Sequence, residues 1–470
     1  MSRQVLLYEL NEVPWEVVDL YVAQRPQSAL AELLASGLSL TTVCDDAEPL
    51  QPWRTWPTFH TSMYTSDHNS FDLGQHPNTF RGDAIWDVAD RAGKAVGVFG
   101  PMQSWPARTF AHGGFYVPDT FARTPETVPT ELQRFQAFNL TMTRENTFNP
   151  DSRLLPRQLV GVLVDLLHLG LTAKSALGVA RHLVDEWREP RYKASRSIMQ
   201  ALPAFDLYWR LHKQCRPDLS IFFTNHVAGM MHRYWGDSVP GYTSAGGYTP
   251  DPIFGTFLSR AMDVFDAQLR RLLEWTRQHP ATVLLLASSM GQFAIDKESV
   301  DETFVLNAPG TLMSALGLQA EVGSAMYPRT SLLFQDPSTA TAAAVTLKQV
   351  RTSQRELFSD IRVIGSSISF AIDQTPWGRP RTEEVTYPYR HDQLRAGSLQ
   401  DLGVNIRQRM GGGNTAYHVP NGVFVAHGSG IPQGNDRDKV SILDAAPSIL
   451  ASLGIPAPRS YQGSASIPLS

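Results

Sequence analysis

A hydroxyl side chain that could act on phosphate lies in the segment LQPWRTWPTFHTSMYTS, from Leu50 to Ser66. We expect a loop that delivers Thr55 to the start of a helix. Pro57 suits a first helical turn, because its missing N–H has no cost there. The unpaired N–H groups and the positive dipole end of a helix start favour an anionic group. Thr55 is therefore either a helix cap or a nucleophile placed for a phosphate group.

Polar side chains also follow three apolar runs, 5–10, 219–224 and 282–287, which have the pattern of buried parallel strands. The polar residues are Glu9, Asn11 and Glu12 at the end of the first run, Asn225 and His226 after the second, and Ser289 and Gln292 after the third. Because parallel strands present their carboxyl ends at one edge of a sheet, we expect one crevice there. A carboxylate in this crevice can orient a histidine, bind a cation or act as a general base. The alternative is that these carboxylates are only solvated side chains at the end of a strand.

The order of elements predicts an α/β protein with a mostly parallel sheet. Helical periodicity over 15–35, 84–92 and 257–278 alternates with further strand patterns over 38–43, 95–99 and 422–426. The sequence changes character from about residue 110 to 213, where a polar, Pro-rich stretch leads into helical segments dense in Arg and aromatic residues. We interpret this region as a cap or insertion, and the residues from about 311 onward as a smaller lobe.

Composition excludes some partners. The 470 residues are 42% hydrophobic and 18% charged, with a net charge of −4, which does not indicate a nucleic-acid-binding surface. Cys44 and Cys215 cannot form a disulfide framework, and the first residues lack the long apolar core of a signal peptide, so we expect a cytoplasmic location. The most apolar stretch, 159–180, is interrupted by charged residues. It predicts a buried or lid helix without a stable membrane span, although such a helix could also meet a lipid-like substrate.

Three stretches resemble the alkaline phosphatase superfamily, in particular its type I phosphodiesterase/nucleotide pyrophosphatase branch. They are TWPTFHTSMYTSDH (Thr55 to His68), RPDLSIFFTNHVAGMMHRYW (Arg216 to Trp235), and HVPNGVFVAHGSGI with SILDAAPSILASLGIPAP (His418 to Ile431 and Ser441 to Pro458). The resemblance implies an alkaline-phosphatase-like three-layer sandwich with a central, mostly parallel sheet and a helical insertion. It also implies two metal ions, commonly zinc, beside a Thr or Ser nucleophile.

The sequence departs from that family's metal ligands at several positions. Asn11 replaces an expected Asp, Ser289 and Met290 replace an Asp-His pair, and Ala228 replaces another Asp. Neither Ser nor Met is a good zinc ligand. The resemblance leaves His232 and His418 as ligands of one shared ion, and His226, at the end of a strand, is the natural third ligand. The alternative for His226 is a structural histidine with hydrogen-bonded ring nitrogens.

We therefore predict a metal-dependent phosphoryl-transfer enzyme that holds one divalent ion, expected to be zinc, at His226, His232 and His418, with Thr55 as the nucleophile. Glu9 and Glu12 are the available bases, and Asn11, Arg54, Ser289 and Gln292 would contact a small phosphorylated substrate. Two alternatives stay open: a transferase for a small-molecule or glycan acceptor, and a catalytically degenerate binding protein. The oligomeric state is not predicted.

The remaining assignments are secondary. We expect His60 to pack in its helix, His427 to support a ligand, and Arg108 to resemble Arg54 as a possible phosphate clamp. Several tryptophans could wall a pocket or belong to the core: Trp53, Trp56, Trp105 and Trp235. The predicted domain order is core over 1–119, helical insertion over 120–213, core over 214–310, smaller lobe over 311–400 and core over 401–470.

Overall fold

A computed structural model of the chain describes residues 3–148, 165–298, 302–326, 329–352, 355–373, 384–389, 393–408 and 412–469. The strands, in chain order, are β1 Gln4–Leu10, β2 Leu38–Val43, β3 Val96–Phe99, β4 Gly114–Val117, β5 Leu219–Thr224, β6 Thr282–Ala287, β7 Gly291–Ala294, β8 Glu302–Leu306, β9 Glu321–Gly323, β10 Arg329–Leu333, β11 Arg351–Thr352, β12 Phe358–Ile364, β13 Ser367–Ile372, β14 Glu384–Tyr389, β15 Gln393–Ser398, β16 Val404–Gln408, β17 Ala416–Val419, β18 Asn421–His427 and β19 Lys439–Ser441.

The α-helices, in chain order, are α1 Trp15–Gln24, α2 Ala29–Ser36, α3 Pro52–Thr61, α4 Thr65–His68, α5 Ile85–Arg91, α6 Gln133–Phe148, α7 Ala173–Arg188, α8 Arg196–Cys215, α9 His226–Ser238, α10 Phe257–Gln278, α11 Pro309–Leu316, α12 Pro337–Lys348 and α13 Ala445–Ser452. Short 3₁₀ helices lie at Pro77–Thr79, Thr130–Leu132, Pro190–Ser195, Phe254–Thr256, Leu399–Leu402 and Ile442–Asp444.

Eight strands form the central sheet, in the order β19-β2-β18-β6-β1-β5-β3-β4. Its neighbouring strands are parallel, except that β18 runs antiparallel to both β2 and β6. Strands β1, β5 and β6 lie in the interior of this sheet, which explains why their sequences are almost continuously apolar. The mostly parallel sheet that the sequence predicts is confirmed.

Successive side chains of a strand point to opposite faces of the sheet, and β1 divides its side chains between two apolar cores. Leu6 and Tyr8 join the core that contains residues of α8, α9 and α10. Val5 and Leu7 join the core that contains residues of α3, α5 and α13. Helices therefore cover both faces of the sheet, and the predicted three-layer α/β architecture is confirmed.

A third apolar cluster, formed by residues from Leu306 to Val404, includes side chains of α11, α12 and the smaller sheet β12-β13-β10-β9. Helices α6, α7 and α8 occupy the sequence between β4 and β5. The predicted division into core, insertion and smaller lobe stays a prediction.

The apolar stretch 159–180 is not one continuous helix where it is described. Residues 159–164 lie outside the described residues, and a turn around Gly170, with φ of 107°, separates a short helical segment from α7. Within the described ranges, no helix is long and apolar enough to cross a membrane.

Candidate metal centre

The carboxyl ends of β1, β5 and β6 lie at one edge of the central sheet because these strands are parallel. Strand β18 is antiparallel to them, so its amino end, and β17 directly before it, reach that same edge. Strand β17 carries His418, and helix α9, which follows β5, carries His232. Glu12 follows β1 in a turn. Three chain segments that are distant in sequence thus converge at a sheet edge, the usual ligand-binding position of open α/β sheets.

The carboxylate of Glu12 lies at the middle of this group. Its Oε2 is 3.0 Å from His232 Nε2 and 3.3 Å from His418 Nε2. The backbone of Glu12 has φ of 62°, a left-handed conformation that is uncommon for a residue with a side chain. Such conformations persist where surrounding contacts outweigh their strain, and they are frequent at functional sites.

Both imidazole rings are fixed through their other nitrogen. His232 Nδ1 lies 3.1 Å from the carbonyl oxygen of Ala416, and His418 Nδ1 lies 2.8 Å from that of Leu50. A carbonyl oxygen can only accept, so each Nδ1 carries a proton and donates it. Each Nε2 is therefore left to face Glu12, and this backbone support of the second nitrogen is the arrangement found around metal-bound histidines.

Two amides hold the Glu12 carboxylate in place. Asn11 Nδ2 donates to Glu12 Oε1 over 2.8 Å, and Gln292 Nε2 donates to Glu12 Oε2. Asn11 Oδ1 accepts in turn from Trp56 Nε1 over 2.7 Å. The predicted substrate contacts Asn11 and Gln292 are both buried, and their amides orient Glu12 in this structure.

The charges of the group depend on one another. Burial raises the pKa of Glu12, but the charges and hydrogen bonds of His418 and His232 outweigh burial and hold that pKa well below its usual range. Burial lowers the pKa of His418, but the neighbouring Glu12 carboxylate outweighs burial and raises it. In the ion-free protein, an ionised carboxylate thus stabilises a protonated imidazole.

The same atoms fit a divalent cation. The distances from Glu12 Oε2 to the two Nε2 atoms, 3.0 Å and 3.3 Å, lie close to the roughly 3.3 Å that separates ligands around a tetrahedral zinc ion with bonds of about 2.0 Å. Glu12, His232 and His418 each offer one ligand atom, and these three atoms lie within 4.8 Å of one another. Among the described residues, no other group of three or more His, Cys, Asp or Glu side chains converges in this way. One carboxylate and two imidazoles, with a fourth position open, are a recognised catalytic zinc set. The residues therefore fit a single divalent ion.

His226 does not belong to this group, which corrects the ligand set expected from the sequence. His226 begins α9, where its Nδ1 lies 2.7 Å from Thr224 Oγ1 and its Nε2 lies 3.1 Å from the carbonyl oxygen of Ala261 in α10. Both ring nitrogens are therefore occupied, and burial lowers the pKa of His226 to about 4. It matches the structural alternative, and Glu12 takes its place beside His232 and His418.

The expected position of Thr55 at a helix start is also corrected. Helix α3 begins at Pro52, and the N–H of Thr55 donates to the carbonyl oxygen of Gln51 over 3.0 Å, so it is not free for an anion. The Thr55 hydroxyl is fully buried and lies 2.8 Å from the hydroxyl of Ser289. Thr55 and Ser289 are thus brought together, and the roles of nucleophile and substrate contact stay predictions.

Glu9 forms a separate buried pair. Its Oε1 lies 2.6 Å from Nε2 of His60, and both side chains are almost fully buried. The His60 ring stacks on Trp56 with a centroid distance of 5.7 Å, in agreement with its expected packing role. Glu9 therefore points to the α3 side of the sheet. Its carboxylate contacts His60 and not Thr55, for which it was the expected base.

Three further candidates have other contacts. Arg54 donates to the carbonyl oxygens of Phe71 and Pro49. Arg108 forms an ion pair with Asp87 of α5. Both guanidiniums therefore stabilise neighbouring loops and helices. His427 ends β18, and because that strand is antiparallel it lies at the opposite edge of the sheet, where its Nδ1 is 3.2 Å from Ser36 Oγ. It therefore does not support a ligand of this centre, contrary to expectation.

Sequence reasoning missed one neighbour of the centre. The ring of Tyr417 lies against His418, with centroids 4.5 Å apart, and its hydroxyl accepts from Gln51 Nε2 over 3.3 Å. The position of Tyr417 directly before His418 in the sequence could have indicated that it lies near the centre. Glu12 itself was noted as a carboxylate at a strand end, but the sequence contains nothing that pairs it with His232 and His418.

Comparisons with known proteins give similarity only at the level of structure. No family model matches the chain, and no curated protein matches it. Among solved structures, the chain is similar to murine ectonucleotide pyrophosphatase/phosphodiesterase 5 in complex with AMP, with 12% identity, 99% of this chain and 98% of that chain covered, and a TM-score of 0.42. It is also similar to wild-type alkaline phosphatase PafA, with 13% identity, coverage of 99% and 98%, and a TM-score of 0.45.

These proteins are a phosphodiesterase and a phosphatase, the enzyme types of the superfamily that the three sequence stretches resemble.

Proposed function

We propose that this chain is a metal-dependent phosphoryl-transfer enzyme, of the phosphodiesterase or phosphohydrolase type, that acts on a small phosphorylated molecule. The observation that carries the proposal is the convergence of Glu12, His232 and His418 within 4.8 Å. The reaction type and substrate class are supported by the resemblance of the stretches around Thr55, His232 and His418 to the type I phosphodiesterase branch. The free thiols Cys44 and Cys215 support the further proposal of a reducing, cytoplasmic location.

We assign different roles to the residues of this centre. Glu12, His232 and His418 would hold the ion, and Asn11 and Gln292 keep the Glu12 carboxylate aimed at the two imidazoles. A bound zinc ion would polarise a phosphoryl oxygen and lower the pKa of a bound water or hydroxyl group.

The three side chains of the centre differ in their exposure to solvent. The side chain of His232 is 23% exposed, whereas His418 and Glu12 are 6% and 3% exposed. A substrate therefore reaches the group from the side of His232. For Thr55 to act as the nucleophile, its hydroxyl must exchange the Ser289 contact for a phosphorus atom, and its proton must pass to the substrate oxygen whose bond to phosphorus breaks.

The experiment that tests the centre is elemental analysis of the purified protein. We expect about one zinc or similar ion per chain, and we expect it to be lost in the His232→Ala/His418→Ala double variant. The variants Glu12→Gln and His226→Gln separate the two possible ligand sets. Glu12→Gln should release the ion, and His226→Gln should retain it because that ring lies in the core.

Two results would contradict this assignment. If no ion is present in the unaltered protein, the proposed metal-dependent reaction is wrong. If Glu12→Gln keeps the ion and His226→Gln loses it, the centre has the ligands predicted from the sequence, and the protein rearranges on binding.

Activity is then tested by screening phosphodiesters and phosphomonoesters with and without added metal. Turnover that depends on the ion and on His232 supports the proposal. Turnover that appears only when a small-molecule or glycan acceptor is added would support the transferase alternative.

A specific observation favours a second candidate, a catalytically degenerate binding protein. Thr55 is fully buried against Ser289, and the pairing of Glu12 with two imidazoles is a stable ion-free arrangement. A protein that binds phosphorylated compounds without turnover, with or without the ion, would match this candidate.

A further inference from the structure

Helix α7, Ala173–Arg188, turns apolar side chains toward solvent. Leu177 is 50% exposed, Val184 is 46% exposed and Trp187 is 84% exposed. These three residues are seven and three positions apart, so they lie along one side of the helix, and Leu183 beside them is 50% exposed. Single exposed apolar residues are normal, but a contiguous set on one helix indicates an interaction surface. We call this set the α7 outer face.

The opposite side of the same helix is buried and polar. His182 and Glu186, one turn apart, lie 2.9 Å from each other, and Glu186 accepts two hydrogen bonds from Arg196, of 2.8 Å and 2.7 Å. Asp185 pairs with Arg260 of α10. Ion pairs therefore attach α7 to the body of the protein, and the arrangement is the reverse of an ordinary surface helix, which buries its apolar side.

A row of positive charge borders the α7 outer face. Lys174, Arg181 and Arg188 are spaced by seven residues, so they form a stripe directly beside Leu177 and Val184, and all three are exposed. Their side chains make no ion pair within the described ranges of the chain. An apolar strip with an aromatic end and a basic border is typical of helices that lie in the interface of a membrane.

We propose that the α7 outer face docks on a lipid bilayer that contains anionic lipid, with Leu177, Val184 and Trp187 in the headgroup region and the basic stripe on lipid phosphates. Charge complementarity selects this partner, because the three cations match an anionic surface and form no ion pair with the described residues. Helix α7 has 16 residues, too few to span the hydrocarbon core, so it lies along the surface. This binding is independent of the proposed reaction.

The test is flotation of the full-length protein with vesicles of phosphatidylcholine alone and of phosphatidylcholine mixed with phosphatidylglycerol. We expect binding to the mixed vesicles, weakened by salt. The variant Lys174→Gln/Arg181→Gln/Arg188→Gln should lower partitioning into the mixed vesicles about a hundredfold, because each cation near an anionic surface contributes about a factor of five. The variant Val184→Asp/Trp187→Asp should abolish binding to the mixed vesicles.

The matched control is Val345→Asp, since Val345 is a 54% exposed apolar residue on α12, in the smaller lobe. It should bind vesicles like the unaltered protein, and thermal unfolding of every variant checks that the fold is kept. Absence of vesicle binding, or binding that both α7 variants retain, would overturn the proposal. A dimer in solution that Val184→Asp/Trp187→Asp dissociates, without vesicle binding, would overturn it in favour of a contact between two copies of the chain.

Discussion

At the scale of single residues, Glu12 accounts for most of the site. Its left-handed backbone carries a cost of roughly 1–3 kcal/mol, which the contacts of its carboxylate offset. Two imidazoles, an asparagine and a glutamine all direct hydrogen-bonding groups to the two oxygens of this one side chain. The nearby carboxylate of Glu9 lies on the α3 side of the sheet and pairs with His60.

We predict that Glu12→Gln and Glu9→Gln have different effects. Glu12→Gln removes the buried carboxylate that lies within hydrogen-bonding distance of His418 and His232, so it should lower the free energy of unfolding of the ion-free protein by about 1–3 kcal/mol and abolish ion binding. Glu9→Gln should leave ion binding intact. Urea unfolding in a chelator, together with metal titration, measures both quantities, and equal effects of the two substitutions would refute the role of Glu12.

Thr55 provides the second prediction at this scale. If its hydroxyl is the nucleophile, Thr55→Val abolishes turnover while Thr55→Ser keeps a measurable part of it, because serine retains the hydroxyl. Both variants should bind the ion like the unaltered protein, which serves as the control. Undiminished turnover by Thr55→Val would mean that the hydroxyl serves only to hold Ser289.

At the scale of elements, α3 shows how a proline inside a helix is accommodated. Pro57 has no N–H, so the carbonyl oxygen of Trp53, four residues earlier, lacks its helical donor. The hydroxyl of Ser70 donates to this oxygen over 2.8 Å. The loop after α4 thus completes the hydrogen bonding of the helix that carries Thr55.

This pairing predicts an energetic coupling between two positions. Ser70→Ala should lower the free energy of unfolding by about 1–3 kcal/mol, since it leaves a buried carbonyl without a donor. In a Pro57→Ala background the loss should shrink, because residue 57 can then donate to Trp53. A double-mutant cycle of urea unfolding measures the coupling, and strictly additive effects would contradict this explanation.

At the scale of the whole molecule, buried neutral histidines make the fold sensitive to acid. Burial lowers the pKa of His226 and of His68 to about 4 and that of His212 to about 3. The unfolded chain therefore binds protons at these positions before the folded chain does. Their contribution to stability is complete above pH of about 6.5 and is lost as the pH falls toward 4. Burial raises the pKa of Asp119 to about 6, so the folded chain binds a proton at Asp119 before the unfolded chain does. Over the same pH range, Asp119 therefore stabilises the folded state as the pH falls and opposes the effect of the histidines.

We therefore predict that the free energy of unfolding decreases from pH 6.5 to pH 4, with up to about 3 kcal/mol of the change from His226 alone. His226→Gln should flatten this dependence, whatever its effect on stability at neutral pH. Urea unfolding in a chelator across that range measures the slope for both proteins. An unchanged slope would show that His226 does not remain neutral in the folded state.

The sequence by itself determined the layered α/β architecture and the sheet edge at which the functional side chains gather. Apolar runs with polar ends specify buried strands, and the parallel arrangement brings the ends of β1, β5 and β6 together. Motif resemblance singled out His232 and His418, which the structure brings to within hydrogen-bonding distance of one carboxylate.

Only the tertiary structure decided which side chains meet at that edge. His226 and Glu12 both follow strands that end there, yet His226 turns into the core beneath α10, whereas the left-handed turn at Glu12 aims its carboxylate at β17 and α9. The antiparallel direction of β18 sends His427 to the opposite edge and brings His418 to this one. Strand direction, helix rotation and a single backbone angle depend on contacts between residues hundreds of positions apart, so local sequence patterns do not determine them.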